Sequence, residues 1–347
     1  NTDAVALQQY ETYRRYQEEM KQGFVWLPSR QKIHQKTIAA LQNGRWPVLI
    51  GEAGTGKSDQ ADAAALELTG QPPTEIQCDQ NTSEKKLIGD SELDPATGGS
   101  YMNYGPLMQA FTGYTDSREQ QPAITTGRIA RFDESGRLGP KAYAVIKNVR
   151  QKKSGDDFYG HPVLPGASAI WTTNPVGVRY PDRKPVDPAM RREIAEIYVP
   201  YPEQWEEYDF MVAALFDENR QIAIAKKELA PAYTTIPIPE DKRTKLKDGS
   251  IVVAKDQLIT NQTSPEHGTL WRLSCAIKAL QNSFVYGNET GSDTVPVQLL
   301  RFKENTAGDI TIGTGEPLTL SSSTITLGEM RSWMTGFSER LQKSDPA

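Results

Sequence analysis

Residues 51–58 read Gly-Glu-Ala-Gly-Thr-Gly-Lys-Ser, and the apolar run Val48-Leu49-Ile50 comes directly before them. This is the pattern of a phosphate-binding loop that leaves a β-strand and opens a helix. Its glycines permit backbone angles that a Cβ would forbid, so that successive N–H groups turn toward a phosphate. Residues 59–68 are rich in helix formers, as the pattern requires. The stretch therefore predicts an α/β fold that binds a nucleoside triphosphate.

Each position of the loop has an expected role. Lys57 reaches the β- and γ-phosphates, and Ser58 binds Mg²⁺. The loop residues before Lys57 surround the phosphates with their backbone: Gly51, Glu52, Ala53, Gly54, Thr55 and Gly56. The expected cofactors are accordingly ATP and Mg²⁺.

The composition is that of an ordinary globular protein, and it excludes several other classes. A length of 347 residues suggests about two domains. The two cysteines form neither a disulfide framework nor a spaced metal-ligand set, so a reducing cytoplasm is the expected location. No apolar run is long enough to span a membrane. A net charge of −5 gives no global attraction to polyanions, which makes nucleic acid an unlikely partner.

The organisation of the chain predicts three regions. Residues 1–45 are helical and polar and lead into residues 46–202, where strands and helices alternate as in a parallel sheet with covering helices. After 202 the pattern becomes mainly helical, with helices expected over 204–229, 269–284 and 327–342. Within this C-terminal region, 203–347, the Thr- and Val-rich stretch 295–320 predicts a small antiparallel β insertion.

Two further polar groups follow predicted strands of the sheet. Ile129-Ala130-Arg131-Phe132 leads into Asp133 and Glu134, and residues 169–173 lead into Asn174. We expect Asp133 to hold Mg²⁺ and Glu134 to orient the attacking water. The Asn174 amide is expected to bond the γ-phosphate or that water. A solvated strand end and an Asn-Pro turn are the structural alternatives.

Taken in this order, the motifs resemble those of the AAA+ ATPases, and within them the MoxR-like and dynein-related branch. The resemblance covers about residues 46–202. Besides the phosphate loop, it is carried by these segments: Tyr104–Phe111 with Gly-Pro-Leu, Asp133–Arg137, Gly160–Gly166, Ala169–Pro175, Asp187–Ile197 and Tyr201-Pro202.

The resemblance implies further roles. Asn174 becomes the sensor 1 residue, and Arg191 or Arg192 becomes the arginine finger, because Glu193 and Ile194 stand where the family has its usual Arg-Phe. Arg272 is the nearest substitute for sensor 2. The expected fold is a P-loop core with a helical lid.

The implied activity is Mg²⁺-dependent ATP hydrolysis at the subunit interfaces of a homo-oligomer, most often a hexameric ring, coupled to lid motion. The output is remodelling or assembly of a client or adaptor protein, and von Willebrand A-domain proteins are one such class. Three residues of the insertion are candidates to grip that partner, with packing of the loop as the alternative: Tyr101, Met102 and Tyr104.

Two other functions remain open on the same core. The first is a nucleic-acid motor that uses the basic cluster Lys147, Arg150, Lys152 and Lys153 to track a phosphate backbone. The second is a scaffold that binds ATP but hydrolyses it weakly, which the irregular finger and sensor 2 positions suggest.

Overall fold

The structure is a computed structural model, and it describes residues 2–22, 24–177, 180–186, 190–214, 244–245, 251–252, 269–286, 298–304 and 310–317. The chain divides into two compact units, residues 29–200 and residues 1–28 together with 201–347. Among the described residues, no helix combines the length and the apolar character needed to cross a membrane.

The helices within the described ranges are, in chain order, α1 (Thr2–Gln22), α2 (Pro28–Gln42), α3 (Lys57–Thr69), α4 (Glu84–Ile88), α5 (Pro106–Thr112), α6 (Pro140–Arg150), α7 (Gln204–Ala214) and α8 (Thr269–Tyr286). The strands there are β1 (Trp46–Ile50), β2 (Thr74–Gln77), β3 (Gly89–Leu93), β4 (Ser100–Tyr104), β5 (Ile129–Asp133), β6 (Asp157–Phe158), β7 (His161–Pro162), β8 (Ser168–Thr173), β9 (Ile194–Tyr198), β10 (Thr244–Lys245), β11 (Ile251–Val252), β12 (Gln298–Glu304) and β13 (Ile310–Pro317).

The unit of residues 29–200 is built on a five-stranded sheet in the order β2-β5-β8-β1-β9. Every neighbouring pair in this sheet is parallel. The predicted parallel sheet is therefore confirmed. The edge strand β9 was not predicted as a strand, because its sequence had been interpreted only as the segment that carries the finger.

Helices cover both faces of this sheet, and the strands alternate accordingly. Val48, Phe132 and Trp171 belong to the core cluster that includes residues of α5 and α6. On the other face, Leu49 and Ile170 pack with residues of α2 and α3, among them Ile33, Ala61 and Ala65. Both faces of the sheet are thus buried under helices, which is typical of a parallel sheet and explains the continuous apolar runs in the sequence.

Arg131 is a charged residue inside the buried strand β5, and its side chain is only 9% exposed. It lies on the same face as Ile129, toward α3, where it pairs with Asp62. A second partner is Glu75 on the neighbouring strand β2, at 3.1 Å, and Asp133 lies 3.8 Å away. A buried charge is tolerated when such partners surround it. The arginine that interrupts the apolar pattern is therefore compatible with a central strand.

Two hairpins project from this unit, β3–β4 and β6–β7. Tyr104 at the end of β4 is 8% exposed, and its hydroxyl shares a 2.6 Å hydrogen bond with Nε2 of His161 in the other hairpin. The expectation that Tyr104 grips a partner is therefore wrong, because this residue is occupied in packing. Tyr101 donates to Glu92 and lies under the guanidinium of Arg118, whereas Met102 is exposed.

In the other unit, α1 packs on α7 and α7 on α8. Tyr13 donates to Asp209 Oδ1 at 2.9 Å, and Gln204 donates to Ser274 Oγ at 2.7 Å. Because of these contacts, residues 1–28 group with the C-terminal region, whereas the predicted scheme kept all of 1–45 as one lead-in segment.

The described elements after residue 203 include helices and small antiparallel β structure, as expected. Strands β12 and β13 pair within the predicted β-rich stretch 295–320. The helix predicted over 204–229 is described to Ala214. The remainder of that helix and the one predicted over 327–342 lie outside the described residues.

Candidate active site

The predicted site residues follow three adjacent strands of the sheet. The phosphate loop follows β1, Asn174 follows β8, and Glu134 follows Asp133 at the end of β5. Because β5, β8 and β1 are neighbours and run parallel, all three groups lie at the carboxyl edge of the sheet. Ligands of open α/β sheets bind at this edge.

The phosphate loop has the backbone that its sequence predicts. Gly54 (φ 73°) and Gly56 (φ 80°) both lie in the left-handed region, and α3 starts immediately afterwards at Lys57. A Cβ on Gly51 would come within 2.3 Å of the carbonyl oxygen of Val199. Thr55 is buried and donates its hydroxyl to the carbonyl of Glu52 at 2.9 Å, which tightens the turn.

Lys57 connects the loop to the end of β8. Its ammonium donates to the carbonyls of Gly51 and Glu52 at 2.9 and 2.8 Å, and to Asn174 Oδ1 at 3.1 Å. Burial lowers the pKa of Lys57 to about 8, against the opposing effect of nearby carboxylates, of which Asp133 contributes most. The lysine and the predicted sensor amide are thus in direct contact.

The acids at the end of β5 are held by Thr172 of β8. The Thr172 hydroxyl donates to Asp133 Oδ1 and accepts the backbone N–H of Glu134 at 3.3 Å. Glu134 has φ 57°, a left-handed conformation that costs of order 1–3 kcal/mol for such a residue and is concentrated at functional sites.

The Glu134 carboxylate contacts two arginines that sequence analysis did not identify. Arg183 donates to Glu134 Oε2 at 2.6 Å, and Arg137 lies 3.0 Å from the same oxygen. Tyr180, in the same segment as Arg183, donates its hydroxyl to Glu52 Oε2 at 2.8 Å. The segment 180–183 therefore contacts both the phosphate loop, at Glu52, and the predicted catalytic acid, Glu134.

No pattern in the sequence around Tyr180 and Arg183 could have singled out these two residues. The stretch Tyr180-Pro-Asp-Arg-Lys-Pro has the composition of a surface loop, although Arg183 is 6% exposed. Only the tertiary fold brings it to Glu134. For Thr172 a weak signal exists, since a hydroxyl inside an apolar strand needs a hydrogen-bond partner.

Arg191 and Arg192 are not part of this group. Both are exposed, and they precede β9, whose first residue Ile194 pairs with Trp46 at the start of β1. They therefore lie at the amino edge of the sheet, about 15 Å of strand away from the loop at its carboxyl edge. Arg272 belongs to α8, in the other unit, and its side chain lies outside the described part.

The residues present fit a magnesium nucleotide. Left-handed glycines and the start of a 13-residue helix form a cradle for phosphate. Ser58 lies in the first turn of that helix, and Asp133 is held at the end of β5, which is separated from β1 by β8. No group of three metal-ligating side chains occurs among the described residues. Mg²⁺ needs none, since it is commonly held by one or two side chains plus phosphate and water.

The chain also matches a known protein family. The family model that matches is the AAA domain of the dynein-related subfamily, over residues 47–192. Residues 47–192 form an AAA domain. It begins in β1, includes the phosphate loop, both acids and Asn174, and ends at Arg192. The AAA+ resemblance predicted for residues 46–202 is therefore confirmed.

Curated proteins include no match to the chain. Among solved structures, the chain is similar to a crystal structure described as a "putative ATPase" from Cytophaga hutchinsonii ATCC 33406, with 14% sequence identity and a TM-score of 0.40. The match covers 80% of this chain and 66% of that one. The assignment of the AAA domain rests on the family model and on the site within it.

Proposed function

We propose that the protein is a ring-forming ATPase that uses ATP hydrolysis to remodel or assemble a partner protein. The observation that carries this proposal is the convergence of Lys57, Asn174 and the acids at the end of β5 at one edge of an AAA domain. A cation for phosphate, a carboxylate for metal and a carboxylate for water are the groups that this reaction needs.

The proposed roles follow from the chemistry of each side chain. Lys57 neutralises charge on the β- and γ-phosphates, and Asn174, its hydrogen-bond partner, holds the terminal phosphate or the attacking water. Ser58 and Asp133 would hold Mg²⁺, which supplies charge neutralisation on the phosphate oxygens when bound. Glu134 accepts a hydrogen bond from the attacking water and orients it.

The location of Arg191 and Arg192 supports a role between subunits. Each is too far from the phosphate loop of its own chain to contact it, and both are exposed. An arginine given to a neighbour's site stabilises the charge of phosphoryl transfer and can contribute several powers of ten in rate. We propose that one of them acts in this way, and that the active species is a homo-oligomeric ring, with a hexamer as the expected size.

The partner is proposed to be a client or adaptor protein, with von Willebrand A-domain proteins as one candidate class. A nucleic-acid motor has less support, because Arg150 of the basic cluster is occupied within its own unit. It donates to the carbonyl of Glu193 at 3.2 Å and lies 5.2 Å from the ring of Trp46. The alternative of a scaffold with weak hydrolysis is an outcome of the experiment below.

The test separates binding from chemistry. Glu134→Gln keeps the shape of the side chain but loses its charge, so ATP should bind normally while turnover falls by orders of magnitude. Lys57→Ala should abolish tight ATP binding and leave the fold intact. Calorimetry and phosphate release measure the two effects.

Unchanged ATP affinity in Lys57→Ala would overturn the nucleotide site. Equal turnover in Glu134→Gln and in the parent would show that Glu134 is not the catalytic carboxylate. ATP-dependent assembly of the parent with negligible turnover would favour the scaffold, and stimulation of turnover by single-stranded DNA would favour the nucleic-acid motor.

A further inference from the structure

Arg183 is a buried arginine that touches the proposed catalytic carboxylate from within the same chain. Its side chain is 3% exposed. One terminal nitrogen donates to Glu134 Oε2 at 2.6 Å, and the other lies 2.8 Å from Asp182 Oδ2. The guanidinium therefore bridges two carboxylates through its two terminal nitrogens, which are held in a rigid planar fork that a lysine ammonium lacks.

The second arginine, Arg137, completes a closed network with the same two acids. It lies 3.0 Å from Glu134 Oε2 and donates to Asp182 Oδ2 at 2.8 Å. Arg137 is 41% exposed, so water screens its ion pairs more strongly than it screens those of Arg183. Of the two, Arg183 is the stronger anchor.

The backbone around Arg183 is fixed on both sides. Its own N–H donates to the carbonyl of Tyr180, and the N–H of Lys184 donates to the carbonyl of Gly136, each at 3.0 Å. A Cβ on Gly136 would lie 3.0 Å from Arg183 Cδ, so the side chain passes directly over the turn that follows Glu134. The position of the guanidinium is thus tied to the position of that turn.

Both arginines contact the same oxygen of Glu134. Within the described part of the chain, Oε1 of Glu134 accepts no hydrogen bond, whereas Oε2 accepts one from Arg183 and lies 3.0 Å from Arg137. A carboxylate held by one oxygen keeps the other oxygen in a defined place and able to accept a bond from water.

We propose that Arg183 is a positioning residue of the ATPase reaction, which grips Glu134 Oε2 and leaves Oε1 to orient the attacking water. This inference rests on the proposed function, since it requires Glu134 to act on that water. It predicts an effect on turnover without an effect on nucleotide affinity, because Arg183 contacts the acid and not the phosphate loop.

The experiment compares Arg183→Gln and Arg183→Lys with Lys184→Gln, which removes an exposed positive charge from the same segment. We expect both Arg183 variants to lower kcat by about 10- to 100-fold, the cost of a misplaced catalytic group, with the Kd for a non-hydrolysable ATP analogue unchanged. Lys184→Gln should keep both parental values. If Arg183→Gln does not fold, the result for Arg183→Lys tests the inference, because lysine keeps the buried positive charge and lacks only the planar fork of the guanidinium.

A parental kcat in the folded Arg183 variants would overturn the inference. So would a joint loss of affinity and kcat, which indicates a structural role only. The result for Glu134→Gln separates this failure from that of the proposed function. If Glu134→Gln is inactive while the Arg183 variants are fully active, only the positioning role is wrong, whereas an active Glu134→Gln removes the proposed catalytic acid itself.

Discussion

At the scale of single residues, the phosphate loop is most constrained at Gly51. Its Cα hydrogen faces the backbone of Val199, so that any side chain would collide with a carbonyl oxygen that cannot rotate away. The sequence predicts a glycine here for reasons of backbone angle, but Gly51 is not one of the glycines with a positive φ. The structure gives a different reason, the close approach of the residue that follows the strand β9.

We therefore expect Gly51→Ala to displace the loop. Its Cβ would lie 2.3 Å from Val199 O and 2.8 Å from Thr55 Oγ1, and overpacking of this kind costs about 1–3 kcal/mol. ATP affinity should fall strongly and thermal stability moderately. Gly99→Ala, where the nearest atom is a flexible hydroxyl at 3.4 Å, serves as the control and should change neither property. Parental ATP binding by Gly51→Ala would contradict the role of this contact.

The residues that sequence could predict are those whose role depends on near neighbours in the chain. Lys57 and Ser58 belong to a contiguous motif, and Asp133 and Glu134 stand at the end of a recognisable strand. Arg183 and Tyr180 depend on contacts with residues 49 and 128 positions away. No pattern along the chain encodes such pairs, so only the fold reveals them.

At the scale of elements, the contact of α1 with α7 contains a partly buried acid, Asp209. Asp209 on α7 accepts a hydrogen bond from Tyr13 on α1. The pKa of Asp209 is raised to about 6, mainly by burial. The hydrogen bond from Tyr13 opposes this rise, and the charge of Glu206 contributes to it. Burial, and to a smaller extent the charge of Asp209, also raises the pKa values of Tyr16 and Tyr208.

This raised pKa predicts how the α1–α7 contact responds to pH. A carboxyl that keeps its proton more firmly when folded stabilises the fold below the unfolded pKa near 4, and this stabilisation is lost as pH rises through about 6. Asp209→Asn mimics the protonated form. It should match the parent near pH 4 and exceed it at pH 7 by up to about 3 kcal/mol, the equivalent of two pKa units.

Hydrogen exchange of the α1 amides at each pH measures this difference. Glu196→Gln, an exposed acid on β9, is the control and should behave as the parent at both values. A difference between Asp209→Asn and the parent that stays constant from pH 4 to pH 7 would show that Asp209 does not titrate in this range.

Secondary structure could be predicted where the spacing of apolar residues along the sequence is clear. In the AAA domain, the strands β1, β5 and β8 follow apolar runs, and the helix α3 follows a helix-forming stretch. Strand β9 was missed because Ile194-Ala-Glu-Ile-Tyr198 alternates apolar and polar residues at a sheet edge, where only part of the strand is buried. The short helix α4 and the hairpin β3–β4 were also missed, since their sequence is polar and mostly exposed.

At the scale of the whole molecule, we expect hydrolysis to require a neighbouring subunit. Arg191→Ala or Arg192→Ala should lose turnover and keep ATP binding, because the arginine contributes to phosphoryl transfer in the neighbour's site. A mixture of the inactive arginine variant with Glu134→Gln should recover part of the activity, since some interfaces then combine two intact halves. Arg14→Ala, an exposed arginine on α1, is the control.

The test measures phosphate release from the separate and mixed proteins. Sedimentation determines their assembly state. Parental turnover in both arginine variants, or full activity of a monomer, would exclude an arginine acting between subunits. Absence of recovery in the mixture, with normal co-assembly, would exclude it as well.

The separation of the phosphate loop and the exposed arginines at opposite edges of one sheet has a consequence for symmetry. If the arginines of one subunit enter the phosphate-loop site of the next, the copies join head to tail, and such contacts generate a closed ring or an open filament. A twofold dimer differs, because it pairs the same surface of both subunits. An open row of n subunits then contains n − 1 complete sites, and closure adds the last one. Specific activity per subunit is thus expected to rise as (n − 1)/n with the length of the row and to reach its full value only when the ring closes.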